Sequence, residues 1–360
     1  MAASETLPHQ DSSKEALAAA IQPTDCPSIL EFSPYSIRMN SQPEPFKPCY
    51  TWPNEYFYFN HYFDSETYRI FIIENIAHNW EWLHTYRDRI RPTDFFFVRL
   101  GWFFHDWLVE ECRRCVNSLG IPTNQFRIMF NDYASKSLFE DHGFSGKIIN
   151  HNAFLDYNLF EPRPCEKIYD AIYTARHVPF KRHHLCQEIP NLALITGPSY
   201  SVDSQDKLPA HVYRNNHVLN EEEVREKISA SHVGLILSEI EGACYASSEY
   251  LLMGIPVVST FSHGGRDIWY NDYNSIICAP DAGSIAQAVA KLKNTSRDQK
   301  RIRQMHKSLS DQMRLDFCAL HEEVASESGN TSIDPRLYFQ QSFFHKMMRT
   351  QKPDFDQIFS

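Results

Sequence analysis

The sequence predicts an α/β protein built from two parallel-sheet domains, and three observations carry that expectation. From position 68 to 294, short apolar runs alternate with helical patterns of about 10–15 residues, the rhythm of βαβ units. The apolar runs are near-continuous, as in strands covered on both faces, instead of alternating with polar residues. The rhythm breaks at "NLFEPRPCEK" (158–167), where two prolines and several charges read as a domain boundary.

In the first half, "YRIFIIEN" (68–75) reads as a strand, "NWEWLHTYRDRI" as a helix and "DFFFVRL" (94–100) as a strand. "WLVEECRRCVNSLG" then reads as a helix closed by Gly120, "FRIMFN" as a strand, "DYASKSLFEDHG" as a helix ending at Gly143, and "GKIINHN" as a strand. In the second half, "YDAIYTA" (169–175) is a strand followed by a basic turn and helix. "NLALITG" is a strand, "VYRNNHVL" a strand and loop, "EEEVREKISAS" a helix, and "HVGLILS" a strand running into Glu239–Glu241. A helix over 245–253, the strand "GIPVVST", the strand "NSIICAP" and the helix "DAGSIAQAVAKLKN", with Ser284 as its cap, complete that half. Four segments result: a partly disordered extension (1–45), a short Rossmann-like domain (46–160), a second Rossmann-like domain (161–315) and a helical tail (316–360). The tail "DPRLYFQQSFFHKMMR" has aromatic residues at helical spacing and is expected to pack on the body.

Bulk properties exclude several classes. The chain has 360 residues, 42% hydrophobic and 22% charged, the balance of a globular protein with a substantial core. Its formal net charge of −10 argues against nucleic acid as a partner, which needs a basic face. The nine cysteines are scattered, as in reduced thiols of a cytoplasmic protein. Cys112 and Cys115 form a CxxC without a second pair at zinc-site spacing, so no metal is expected. The run "DFFFVRLGWFFHDW" is too short and too charged to span a bilayer and leaves room only for peripheral membrane contact.

Two such domains leave a cleft between the C-terminal edges of their sheets, where loops and helix N-termini converge. In "ARHVPFKRHHL", Arg176 and Lys181 leave a strand together and can hold a diphosphate, Arg as a planar fork and Lys as a point charge. In "EGACYASSEYLLMGIPVVST" (241–260), a strand leads into Glu241, Gly242, Ala243 and Cys244, and a helix begins near Tyr245. Its first N–H groups and its dipole favour an anion there. Glu241 can accept bonds from sugar hydroxyls and Glu249 from a second polyol, a ribose, each worth about 1.5–3 kcal/mol. Gly264–Gly265 make a flexible turn after a further strand, and Arg266–Asp267 open a short helix.

In order and spacing these features resemble the retaining nucleotide-sugar glycosyltransferases of GT-B fold known as glycosyl transferases group 1, or family four. The resemblance rests on Arg176 and Lys181, Glu241-Gly242 with Glu249, "GIPVV", "GGRD" and "CAPDAGSIAQAV", and on "KIINHNAFLDYNLFEP" upstream, covering about 120–310. It implies transfer of a sugar from a UDP- or GDP-sugar to a hydroxyl of a glycan or lipid-linked glycan, with no cofactor and no metal. Arg176, Lys181 and the helix start at 245 would stabilise the departing diphosphate, which itself takes the acceptor's proton. Gly242, Ala243, Cys244 and Tyr245 would shape the sugar pocket, and backbone around 215–219, with His217 and Val218, would read the base. The chain departs from the family in having Ala243–Tyr245 after the glycine and no early Gly-rich loop. The first domain of the family often supplies a histidine near the sugar. His105, beside Asp106 as an acceptor ligand, is the positional candidate ahead of His61, His78 and His151. Rivals on the same fold are a phosphorylase and a nucleotide-sugar epimerase. From another class, the rival is a non-catalytic nucleotide-sugar-binding partner of another transferase.

Overall fold

The computed structural model describes residues 57–196 and 208–360; the N-terminal extension and residues 50–56 of the aromatic stretch lie outside them. Two six-stranded sheets form, both mostly parallel. The first contains β1 (Phe57–Asp64), β2 (Arg69–Glu74), β3 (Asp94–Arg99), β4 (Phe126–Phe130), β5 (Ser145–Ile148) and β12 (Arg349–Gln351), in the order β12-β1-β2-β3-β4-β5. From β2 to β5 the strands are parallel and stand in sequence order, while β1 runs antiparallel to both β2 and β12. The crossovers carry α1 (Trp80–Tyr86), α2 (Asp106–Leu119) and α3 (Tyr133–Asp141). Gly120 ends α2 in the left-handed conformation (φ 71°), which costs a glycine little. Asp132 starts α3 by accepting from the Ser135 N–H. The "DFFFVR" run is fully buried as β3, inside this sheet between β2 and β4.

The second sheet holds β6 (Tyr169–Thr174), β7 (Leu192–Ile195), β8 (Tyr213–Arg214), β9 (Ser231–Ile236), β10 (Val257–Thr260) and β11 (Ser275–Cys278). Its order, β11-β10-β9-β6-β7-β8, is all parallel and reverses direction between β6 and β9. Its helices are α4 (Glu221–Ser229), α5 (Tyr245–Leu252) and α6 (Ala282–Lys293). Asn220 and Glu223 form a reciprocal capping box on α4. On α6 the cap is Asp281, which accepts from the Ser284 N–H, so Ser284 supplies the donor and not the cap. The helix expected after β6 is instead two 3-10 turns, Pro179–Lys181 and His183–Cys186, separated by Arg182 in the left-handed region (φ 54°).

The sequence suggests a boundary at position 315, yet α7 (Gln299–Glu327) is a 29-residue helix that runs straight through it. Its buried stripe, Ile302, His306, Ser310, Met313, Phe317, Leu320, His321 and Val324, has helical spacing, but His306, Ser310 and His321 put polar groups in it. The stripe packs on both sheets at once. At one end the Trp269 and His306 rings stack at 4.4 Å, and Arg303 donates to the Leu252 and Tyr157 carbonyls. At the other, Phe317 meets Phe97 and Phe154, and the Tyr68 hydroxyl lies 2.8 Å from His321 Nε2. One hydrophobic core therefore includes Ile72 and Phe97 of the first sheet, Ile172 and Ile236 of the second, and Phe317 and Val324 of α7. Beyond α7 the chain forms α8 (Pro335–Ser342), adds β12 to the first sheet, and stacks Phe355 of α9 (Phe355–Ile358) on Trp82. Burial pushes His306 down to about 3, and His321 and His345 down to about 4, from the ordinary 6.5.

The shared core sets an expectation for stability. Phe317→Ala should lower unfolding free energy by about 3–5 kcal/mol, read by urea titration; an unchanged midpoint would show that α7 does not join the sheets.

Candidate active site

The reversal of strand order between β6 and β9 is the point where a parallel sheet leaves a crevice. Here the crevice is a cavity of about 460 Å³, large enough for a small-molecule ligand, with walls from both domains. From the second domain, Thr174–Arg176 at the end of β6, Lys181, and Glu241–Ala246 after β9 face it. Glu74, Arg99, Gly101, Trp102 and His151 face it from the first.

At its centre Lys181 and Glu241, both buried, form an ion pair. Glu241 also accepts from the Ser238 hydroxyl at 2.6 Å, and the fully buried Arg266 donates to that hydroxyl at 2.7 Å. Burial alone would raise the Glu241 carboxyl, but Lys181, Ser238 and Arg266 together hold it below its ordinary value. Lys181 is fixed from behind. Its carbonyl accepts from the Tyr173 hydroxyl, and its neighbour Arg182 donates to the Leu237 carbonyl and the Thr260 hydroxyl, each at 2.7 Å.

The start of α5 is held as firmly. Cys244 takes the left-handed conformation (φ 56°), and buried Asn152 donates to the Ala243 and Cys244 carbonyls and the Ser248 hydroxyl. Arg99 donates to the Tyr245 hydroxyl at 2.6 Å and to Glu74 at 3.1 Å, so the ion pair of one domain reaches the first helical residue of the other. Burial pushes the Tyr245 hydroxyl up to about 12 against the pull of Arg99. Where the domains touch, a Cβ on Gly242 would lie 2.7 Å from the Gly101 carbonyl oxygen. The freedom of Gly242 is thus used for contact between domains.

No family model matches the chain, and no curated protein does. Among solved structures it is similar to Alr3699/HepE of Anabaena in complex with UDP, at 14% identity and a TM-score of 0.52 over 71% of this chain and 78% of that one. The same protein in complex with UDP-glucose matches at 14% identity and a TM-score of 0.51, over the same shares. The chain has the GT-B fold. Relative to the expectation of two Rossmann-like domains, the first GT-B domain is reduced to four parallel strands in sequence order, and α7 and the segment after it complete it.

Within this GT-B cleft the structure brings together Arg176, Lys181, Glu241, Gly242, Ala243, Cys244, Tyr245 and Val218. Other expected residues stand elsewhere. His105 precedes α2 with its ring against Phe103 and Trp107, outside the cavity wall. The first-domain histidine in that wall is His151, whose ring is 5.0 Å from Tyr245 and whose Nδ1 has no hydrogen-bond partner. Burial, reinforced by Arg99, holds His151 well below its ordinary value, so the ring is neutral. Asp106 is exposed at the start of α2, 3.6 Å from His142. His217 turns to Asn216 and Glu223. His61 stacks on Phe71 inside the first domain.

Glu249 lies one turn beyond the wall, which ends at Ala246. Burial raises its carboxyl, Lys346 opposes the rise and Glu221 adds to it. Cys112 and Cys115 are buried on the core face of α2, and among the described residues no group of three or more His, Cys, Asp or Glu could hold a metal. The chain's Asp-x-Asp, Asp354 and Asp356, lies at α9, where Asp354 caps the helix and Asp356 faces Arg89. No helix among the described residues is long and apolar enough to cross a membrane.

Glu74, Arg99, Trp102 and Thr174 are wall residues that sequence reasoning missed, while Asn215 belongs to the 215–219 segment expected to read the base. Their signal was present for Glu74 and Arg99: a charged residue ending a buried apolar run at the C-terminal edge of a parallel sheet.

Two outcomes follow from this packing. Gly242→Ala should cost about 1–3 kcal/mol, because backbone must yield, and Gly101→Ala less, because its Cβ meets only the Glu74 and Asn75 side chains. Thermal unfolding in the reverse order would contradict the contact. The buried histidines set the second. His151, His321 and His345 all titrate lower when folded, so the unfolded chain binds more protons below pH 6.5. Stability is full above pH 6.5 and falls as pH drops towards 4, by up to about 1.4 kcal/mol per pH unit for each histidine. Urea midpoints that stay level from pH 7 to 4.5 would contradict these assignments.

Proposed function

We propose that the chain transfers a sugar from a nucleoside diphosphate sugar, UDP- or GDP-linked, to a hydroxyl of a glycan or lipid-linked glycan, with retention at the anomeric carbon. The observation that carries this reading is the Lys181–Glu241 pair at the β6/β9 crevice, beside Arg176 and under the first residues of α5. A diphosphate entering there exchanges partners with the pair. Lys181 and Arg176 take the phosphate oxygens, helped by the α5 dipole, and Glu241 is released to accept from a donor-sugar hydroxyl. Neutral His151 forms the wall on the first-domain side, its ring 5.0 Å from Tyr245. The C–O bond to the diphosphate breaks as the acceptor oxygen bonds the anomeric carbon from the same face, and the acceptor proton passes to the departing phosphate oxygen. The GT-B likeness to a protein crystallised with UDP and with UDP-glucose supports the donor class.

The test is turnover of UDP-glucose and GDP-mannose by the purified chain, followed as nucleotide release. Lys181→Ala should lower kcat by about 10²–10³, or about 2.7–4 kcal/mol. Because that change strands a buried carboxylate, Lys181→Met/Glu241→Gln serves as the folded control and should be equally inactive. Near-normal turnover in the double variant would sink the assignment. Tight nucleotide-sugar binding with no turnover by the native chain would favour a non-catalytic partner. With Lys181, Arg176 and the helix start carrying the charge, EDTA should leave the rate unchanged; abolition by EDTA would contradict a metal-independent reaction.

A further inference from the structure

Outside the cavity wall lies a row of rings to which both domains contribute. Phe103 and His105 come from the loop after β3, Trp107 from the first turn of α2, and Phe261 and His263 from the loop after β10. Centroids are 5.0 Å apart for Phe103–His105, 5.4 Å for Phe103–His263 and 5.2 Å for Phe261–His263, and the His105 and Trp107 rings are near-parallel at 6.5 Å. Trp107, at one end of the row, is 43% exposed and Phe261, at the other, 45%. The row is continuous with the donor cavity. Trp102, next to Phe103, is in the cavity wall, and the Glu241 N–H donates to the His263 carbonyl at 3.0 Å.

The surroundings are acidic. Glu239, Asp132 and Asp267 face His263, Asp267 also pairing with the buried Arg266, and exposed Asp106, 3.6 Å from His142, follows His105 in the chain. Both imidazoles are held below their ordinary values, His105 by burial and then by His263, and His263 by burial against those carboxylates. Exposed rings fringed by carboxylates repel a phosphate or an anionic headgroup. They suit a neutral sugar, whose C–H face packs on aromatic rings while its hydroxyls donate to carboxylates.

We propose that this row is a subsite for neutral hexose units of the acceptor, completed only when the two domains meet, with Trp107 and Phe261 as its stacking residues. The inference rests on the glycosyl-transfer reading for its acceptor, and the test separates the two. The full chain would be applied to an array of short neutral hexose oligosaccharides in saturating UDP, with UDP affinity measured by calorimetry. Trp107→Ala/Phe261→Ala should weaken oligosaccharide binding about tenfold or more, with UDP affinity unchanged. Leu337→Ala, another exposed apolar residue, should change neither. Equal binding by the double variant, or no oligosaccharide binding by a native chain that still binds UDP, would overturn the subsite alone. Ring-dependent capture by phosphatidylcholine–phosphatidylglycerol vesicles in place of oligosaccharides would also overturn it and assign the row to a membrane surface. Ring-dependent oligosaccharide binding by a chain that does not bind UDP would keep the subsite and overturn the donor reading.

Discussion

The packing of one helix against both sheets is the constraint on which the rest of this structure depends. A first domain of four parallel strands in sequence order places its crossover helices on one face and leaves the other bare. α7 covers that bare face with Phe317, Leu320 and Val324, while its N-terminal turns stay with the second domain through Ile302 and His306. Arg314 donates to the Ala153 and Leu155 carbonyls at 2.7 Å, tying the helix to the segment that carries His151 and Asn152. The two sheet edges are thereby set at the distance at which Gly101 and Gly242 touch.

That spacing explains why the cleft can be lined with charge. Lys181, Glu241, Arg266 and Arg99 are all nearly inaccessible, and an isolated charge so placed would be strongly unfavourable. Each has a partner: Lys181 with Glu241, Arg266 with Ser238 and Asp267, Arg99 with Glu74 and Tyr245. A ligand carrying both a diphosphate and hydroxyls can replace these partners in kind. An apolar ligand offers no such exchange and would leave these pairs as they stand.

Much of this was legible in the residues. The second sheet is read nearly strand for strand because its strands are short apolar runs closed by glycine, proline or a capping residue, and its crevice follows from the order of motifs. β12 and α7 were not legible, since each is fixed by partners far away in sequence, and the alternation of β1, the antiparallel neighbour of β2, is broken by a register shift between His61 and Phe63. β1 and β12 pair across almost three hundred positions, and the α7 stripe places His306, Ser310 and His321 where a periodicity argument looks for apolar residues. The placement of the first-domain histidines shows a related effect. His105 follows a strand more conspicuously, but only the tertiary contact of Asn152 with the α5 start brings its neighbour His151 to the cavity.

The central claim, that the crevice between β6 and β9 holds a nucleoside diphosphate sugar, is tested most directly by photoaffinity labelling. The native chain would be irradiated with 5-azido-UDP-glucose and with 8-azido-guanosine diphosphate mannose, and the labelled peptides mapped by mass spectrometry. Label is expected, with one of the two, on the peptides around Asn215–Leu219 or Glu241–Ala246, removed by excess unlabelled nucleotide sugar. Label confined to other surfaces, or label that excess nucleotide sugar does not remove, would contradict the claim.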